Sequence, residues 1–554
     1  MAESLKGHIH GLLAASWRKL GLQDRSVDIE IKRSDRGEFG DFSSNVALVG
    51  AKKAEMPPRE LAKRLIEGLP EAVFSRVEIA GPGFINLFLL PDVLRSRLRE
   101  ILNAGDRFGR IVQSNPTRIH IEFVSSNPTG PLTVGHGRQA VLGDVLARLY
   151  ERMGYTVERE YYYNDEGRQI DLLAESLWVR YRELFGESHE IPEDGYQGEY
   201  LIPIANEMKQ NLQRVFPKFD DEARTVFRRE AVRSMKAEIE GDLHKLGVWF
   251  NHWFSEADLH KPQKGCDPRS LVQKALAMLR ERNGTYEADG AIWLKGEEYG
   301  AAKDSVLIRS DGRPTYLMVD IAYHINKHRR NFEHVINVQG ADHQVEQSSM
   351  KAAMRILGYR EDFLDYAVHQ FVSIKEGAGA ARMSTRAGRF ILLQDLVEEI
   401  GRDVVRYFMV ARKPESHLEF DLDLARAQSM DNPVYYIQYA HTRIFSIFSK
   451  AGMPEVSTDD VDLSLLEARE ELDLIKQLDR FPDVVREAAL GFAPHLLAGY
   501  ALELARAFHP YYTEYRVIGT DRKVMSARLA LLRGVQIVLR NCLEILGMSV
   551  PETM

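Results

Sequence analysis

Apolar residues recur along this chain in two periods, and the switches between them mark out its elements. Ile119, Ile121 and Phe123 are interleaved with His120 and Glu122, the period-two pattern of a strand. Ser125, Ser126, Asn127, Pro128 and Gly130 break it. Beyond a tight run from Pro131 to Gly137, Val141, Leu142, Val145, Leu146 and Leu149 fall at helical spacing, and Gly154 suits the helix end. Residues 155–163 read as the next strand. The same reading predicts a short strand over 335–338, a helix running to 357, and a strand over 366–374.

Before this core, the first ~110 residues read as a separate α/β module. It has an amphipathic helix over 3–20, a strand over 27–31, helices over 45–51 and 60–69, and the turn Gly81-Pro82-Gly83 leading into a strand. Residues 167–282 are mostly helical with polar loops. They read as an insertion between the two halves of a doubly wound sheet, which resumes near Val306. From about Leu422 the pattern is almost all helical, over 465–479, 482–489, 495–511 and 522–546. Asp431-Asn432-Pro433 opens one helix with a side-chain cap and a first-turn proline. The expected fold is therefore α/β: a doubly wound parallel sheet over 113–425 with a helical insertion at about 167–290, preceded by a small α/β domain over 1–112 and followed by an all-α bundle over 426–554.

Composition narrows this only slightly. At 554 residues, 44% apolar and 28% charged, the chain can bury several cores and still keep a solvated surface. The net charge of −8 does not advertise a nucleic-acid binder, although a local basic stripe would suffice in so large a chain. Two distant cysteines, Cys266 and Cys542, form no CxxC pair, so structural zinc is not expected and a reducing cytoplasm is. The first thirteen residues are too polar for a signal peptide, and no run is long enough for a membrane span.

The chemistry concentrates where the first strand ends. A strand, a glycine-bearing loop and a helix N-terminus form a cradle for a negative ligand, because free backbone N–H groups and the positive end of the dipole face it. Gly135 and Gly137 would let the backbone approach, and His136 and Arg138 would add donors. Neither GxxxxGK[ST] nor GxGxxG is present, which sets aside the commoner phosphate loops.

Thr133-Val134-Gly135-His136, within SSNPTGPLTVGHGR, resembles the first signature of class I aminoacyl-tRNA synthetases in its arginyl form, with Thr133 where the family has its first histidine. Arg382-Met383-Ser384-Thr385-Arg386-Ala387-Gly388, after a run of glycines and alanines, resembles the second. Stretches GDFSSNVAL and VEIAGPGFINLFL are similar to the family's N-terminal domain, which touches the tRNA elbow, and DNPVYYIQYAHTR to the opening helix of its anticodon-binding bundle.

The resemblance implies a Rossmann-like catalytic domain that activates arginine with ATP, accompanied by Mg2+, and then charges tRNA; arginyl members generally need bound tRNA for the first step. It implies His136, Thr133, Arg382, Ser384 and Arg386 as the groups acting on the phosphates. ATP would also lie against Asn127, Gly130, Gly135, Arg138, Gly340, Asp342, His343 and Met383. Arginine carries a planar, always-charged fork of five donors, which needs carboxylates placed to pair with it. Glu122 and Asp320 match the family's acidic positions, with Asn127, Tyr316 and Gln339 as further contacts. Tyr316 and Asp320 lie one turn apart on a predicted helix, hence on one face. Tyr435, Tyr439, His441 and Arg443 offer stacking faces and phosphate donors to tRNA. No protein metal site is expected, and a monomer is. Two alternatives stay open: a tRNA-binding relative of impaired activity, and a class I synthetase for another amino acid.

Overall fold

The computed structural model describes residues 4–22, 26–34, 37–212, 215–262, 267–377, 379–381, 391–452 and 461–554. Its centre is a sheet of five parallel strands in the order Leu364–His369, His334–Gly340, Arg118–Glu122, Thr156–Tyr163, His252–Ser255. The strand that comes first in the chain lies in the middle. The chain winds outward from it in both directions, so the order reverses between Arg118–Glu122 and His334–Gly340. The crevice at the carboxyl ends of those two strands is where open parallel sheets hold ligands. Helices cover both faces, which is why Ile119, Ile121, Val335 and Ile336 are fully buried. The helix Val134–Arg152 follows the middle strand and packs closely on its exit: a Cβ on Gly143 would meet the Phe123 ring at 2.1 Å.

Three expectations for this region need correction. His252–Ser255 is a strand of the parallel sheet, although its surroundings read as helical; four residues are too few to show a period. The segment near Val306 does not resume that sheet. Ser305–Ile308 pairs antiparallel with Ala291–Leu294, which pairs with Thr285–Ala288, in a separate three-stranded sheet. The stretch 366–374 is two strands, broken at Gln370-Phe371, and the second, Val372–Glu376, runs parallel to Leu418–Asp421 in another sheet.

The N-terminal module is a four-stranded antiparallel sheet in the order Ile31–Arg33, Phe42–Ser44, Phe84–Leu89, Phe74–Ala80, with helices Leu5–Lys19, Val46–Ala54 and Pro58–Glu67. Its first strand is shorter than expected and begins only at Ile31. The helix Pro91–Ala104 then packs on the C-terminal helices Arg469–Asp479 and Arg522–Leu546. Asp479, fully buried, ties the two ends of the chain together: it accepts from Arg33, from Arg97 and from the Leu5 amide. The bundle also contains Pro433–Ala451, Phe481–Leu490 and His495–Glu514. Asn432 caps the first of these through the Val434 amide at 3.0 Å, with Pro433 in the first turn. One buried apolar cluster runs from the N-terminal module through the sheet into the bundle. No helix among the described residues is long and apolar enough to cross a membrane.

Candidate active site

The helix Val134–Arg152 presents its N-terminus at the carboxyl edge of the sheet. Thr133, in extended conformation, is its N-cap. The ring of His136 folds back so that Nδ1 accepts the Thr133 amide N–H at 3.1 Å, with Thr133 Oγ1 at 3.2 Å. Burial holds the His136 pKa below its ordinary value, so the ring is neutral. With Nδ1 committed as acceptor, the proton sits on Nε2 and the ring presents a donor. Thr133 therefore orients His136. A Cβ on Gly135 would find only Thr133 Oγ1, at 3.7 Å, so the space above that turn is open. The loop is fastened from below: Val134 N–H donates to Ile391 O at 3.2 Å and Leu393 N–H to Leu132 O at 2.8 Å. Arg382, Met383, Ser384 and Arg386 lie outside the described residues, and Ile391 is where the described chain takes up again.

Gly137 and Arg138 do not play the roles their place in the loop suggested. A Cβ on Gly137 would come within 2.7 Å of Leu393, so this glycine serves packing. Arg138 is fully buried, and its guanidinium donates to three backbone carbonyls: Gln370 at 2.6 Å, Ser416 at 3.0 Å and Lys413 at 3.0 Å. Its helix turn points it into the protein, and it is not a phosphate ligand. Burial lowers its pKa to about 10. Gly130 lies against the insertion, where Tyr200 donates its hydroxyl to Thr129 O at 2.7 Å. Asn127 is exposed and donates to Gln169 at 2.8 Å.

Beside this loop is an acidic slot. The chain leaves the middle strand through Val124 and Ser125, both at positive φ (68° and 43°), a costly conformation for a β-branched residue. The kink aims Ser125 Oγ back at Glu122 Oε1, 3.0 Å away. The other oxygen, Glu122 Oε2, accepts from the buried Lys327 ammonium at 2.6 Å. Asp320 stands across from it on the helix Tyr316–Arg329. Its carboxyl is half-buried and has no hydrogen-bond or ion-pair partner among the described residues. Desolvation first, then the negative charges of Glu122 and Glu256, push its pKa up to about 8. Glu256 accepts from Tyr162 at 2.5 Å and Asn164 at 2.9 Å, and burial raises its pKa too. Three carboxylates and one lysine thus converge, with acid in excess. Tyr316, at the head of the helix, is 73% exposed and stands at the mouth.

On the neighbouring strand, Gln339 accepts from Gln347 at 3.2 Å. A Cβ on Gly340 would meet only the carboxylate of the exposed Asp342, which is free to swing aside, so the backbone there is open to close approach without requiring glycine. Asp342 and His343 are exposed at the same carboxyl edge, His343 bonded to Glu346 at 2.9 Å. Tyr323 and His324 are buried packing and hydrogen-bonding residues, in keeping with their place on the helix's inner face. Lys327 and Glu256 were missed: the first looks like one more cation in the basic helix end INKHRR, and the second follows a strand that left no periodic trace.

At the far end, Tyr435 and Tyr439 are half-buried and parallel, centroids 6.1 Å apart, and Tyr439 stacks on His509 at 5.7 Å. Arg443 lies over the Tyr512 ring at 5.1 Å. His441 is not a stacking face: it is buried and its Nδ1 bonds Pro551 O at 2.9 Å, which is a structural contact.

Three family models match the chain in sequence: arginyl tRNA synthetase N terminal domain over 5–89, class I tRNA synthetase (R) catalytic domain over 97–414, and DALR anticodon binding domain over 437–554. An arginine–tRNA ligase of Thermotoga petrophila is 43% identical, covering 96% of this chain and 97% of that one. One of Syntrophotalea carbinolica is 42% identical, covering 100% of both. The solved arginyl-tRNA synthetase of Thermus thermophilus superposes with a TM-score of 0.78 over 99% of this chain and 100% of that one, at 24% identity, and so supports the fold. A signature helix beside an acidic slot, on one edge of a doubly wound sheet, with matching models over all three regions, establishes that the chain belongs to the arginyl-tRNA synthetase family.

Proposed function

We propose that the arginine–tRNA ligase activity of this chain runs through the acidic slot and the signature helix at the carboxyl edge of the parallel sheet. The guanidinium of arginine enters between Glu122 and Asp320, and its charge replaces the hydration that the Asp320 carboxylate lacks. ATP lies with its phosphates against the N-terminus of Val134–Arg152, over Gly135, and its adenosine toward Gly340, Asp342 and His343. An arginine carboxylate oxygen attacks the α-phosphorus, the bond to the β-phosphate oxygen breaks, and pyrophosphate leaves. His136 donates its Nε2 proton as a hydrogen bond to a phosphate oxygen as charge develops there. The terminal ribose hydroxyl of tRNA then attacks the arginyl carbonyl and AMP departs. Positioning and charge stabilisation supply most of the acceleration. Arg382, Ser384, Arg386 and Met383 are assigned to the phosphates on their resemblance alone.

Among the described residues no group of three or more His, Cys, Asp or Glu side chains could hold a metal ion. Magnesium, as the family resemblance implies, would travel on the phosphates of ATP, which is how this ion commonly binds. The reading also places tRNA contacts on Tyr435, Tyr439 and Arg443, puts domain boundaries near residues 112 and 425, and takes the protein as a cytoplasmic monomer; sedimentation of the full chain tests the last point. The observation that carries the proposal is the Asp320 carboxyl, half-buried at the carboxyl edge of the sheet and without a partner among the described residues. Aminoacylation of total tRNA with arginine, lysine and canavanine tests it. Charging by arginine well above lysine supports the slot, and charging by another amino acid alone would overturn it.

A further inference from the structure

Lys327 is fully buried, yet nothing in the reaction above uses it. Its surroundings form a chain of hydrogen bonds in which each direction is determined. The Asp320 carbonyl can only accept, so His324 Nδ1, 2.7 Å away, carries the ring proton. His324 Nε2 is then an acceptor, and it takes a hydrogen from Asn337 Nδ2 at 2.8 Å. That orients the amide, leaving Asn337 Oδ1 to accept from Lys327 Nζ at 3.1 Å. The same ammonium donates to Glu122 Oε2 at 2.6 Å and sits over the Tyr323 ring at 4.2 Å. Burial and the Lys327 charge hold the His324 pKa well below its ordinary value, so the imidazole stays neutral and the directions stay as given. The chain begins on the backbone of the Asp320 helix, crosses to the strand His334–Gly340 and ends on the strand Arg118–Glu122.

We infer that Lys327 is a specificity-determining positioning residue: a resident cation that takes one oxygen of Glu122 and thereby leaves a slot fit for a planar fork and unfit for a compact ammonium. The inference rests on the reading of the slot as the guanidinium site. With Lys327 in place, Glu122 Oε2 already has its cation and Oε1 has Ser125. A substrate ammonium entering from the mouth would find its natural partner occupied by a like charge held in the floor. A guanidinium reaches Asp320 with two parallel donors and does not need the oxygen that Lys327 holds. The lysine thus acts twice, by fixing where Glu122 points and by repelling a point charge at the bottom of the slot.

The experiment compares Lys327→Met with the unmodified full-length chain in tRNA-dependent aminoacylation, using arginine and lysine as separate substrates. Removing one partner of a buried pair frees Glu122, so KM for arginine should rise on the order of 10²-fold. ATP KM and kcat at saturating arginine should stay within about twofold, the signature of a loss in binding. Lysine, no longer facing a like charge, should hold or improve, so the arginine-to-lysine ratio of kcat/KM narrows. Unchanged arginine KM, an equal shift in arginine and ATP, or an unaltered ratio would each overturn the inference. Should Lys327→Met fail to fold, Asn337→Leu keeps the ion pair and removes only the orienting link. It should raise arginine KM a few-fold and leave ATP KM alone, and no change would count against Lys327. If the unmodified chain itself prefers another amino acid, the slot reading falls. If it prefers arginine and both variants keep that preference, only the role of Lys327 falls.

Discussion

Two buried clusters of charge lie beside the same helix, and they are finished differently. Glu160, fully buried, is paired through both oxygens: Oε1 takes His120 at 2.9 Å and the Tyr323 hydroxyl, and Oε2 has the Arg330 guanidinium 2.6 Å away as an ion pair, without an aligned hydrogen bond. Those bonds hold its pKa well below the usual carboxylate range even though burial opposes them. Asp320 has none among the described residues, and its pKa goes the other way, up to about 8. Both are carboxylates wholly or partly taken from water. One is closed by Arg330, His120 and Tyr323 and serves the fold, while the other is left open. An open one costs stability and persists only where something else completes it, so the contrast itself separates structure from site.

Substitutions should break the contrast in opposite directions. Glu160→Gln leaves the half-buried Arg330 with Glu158 as its carboxylate partner and weakens the bonds to His120 and Tyr323, and stability should fall by roughly 1–3 kcal/mol in urea unfolding. Arginine KM should change little if the protein folds. Asp320→Asn should do the reverse. Arginine binding should weaken by roughly 2–5 kcal/mol, with ATP affinity kept. Stability should rise by roughly 0.5–2 kcal/mol, as when a strained functional group is relieved. A destabilised Asp320→Asn with normal arginine affinity would erase the distinction. At the signature helix, His136→Ala should slow activation by roughly 10²–10³-fold without weakening arginine, because only a transition-state donor is lost. An unchanged rate of pyrophosphate exchange would remove His136 from the reaction.

The pH dependence has a fixed sign. The folded pKa of Asp320 lies above the unfolded value near 3.9, so the native state holds the extra proton. Its contribution to stability is whole below about pH 4 and is lost as pH rises toward 8. Arginine pairs with the ionised form, so its affinity should climb by about tenfold per pH unit up to about 8 and then level off. A flat profile between pH 6 and 8 would mean that Asp320 does not meet the guanidinium. The smallest effect belongs to the bundle. Tyr435→Ala or Tyr439→Ala should cost roughly 1–3 kcal/mol in tRNA binding if a base stacks there. His441→Ala should act on stability, since that ring faces Pro551.

Much of this was readable from residue order, and the failures share a cause. The strand, loop and helix of 118–152 carry their own periodicity and breakers, and the last helix, Arg522–Leu546, falls where its pattern does. Arg138 misled because its spacing says "loop donor", whereas its partners Gln370, Lys413 and Ser416 are more than two hundred residues away. His441 misled in the same way, through Pro551. His252–Ser255 is too short to show a period and is held by the sheet's edge. Lys327 could not be told from its basic neighbours, because what sets it apart is the pair of acceptors brought to it by two strands. Local pattern finds elements, but which polar group is closed and which is open is decided by distant packing.

Proton release on arginine binding tests that distinction most directly. Calorimetric titration of arginine into the full chain at pH 7, in two buffers of different ionisation heat, counts the protons leaving the slot. Close to one proton should be released by the unmodified chain and none by Asp320→Asn. Release of none by the unmodified chain, or equal release by both, would show that the open carboxyl is not where the guanidinium goes.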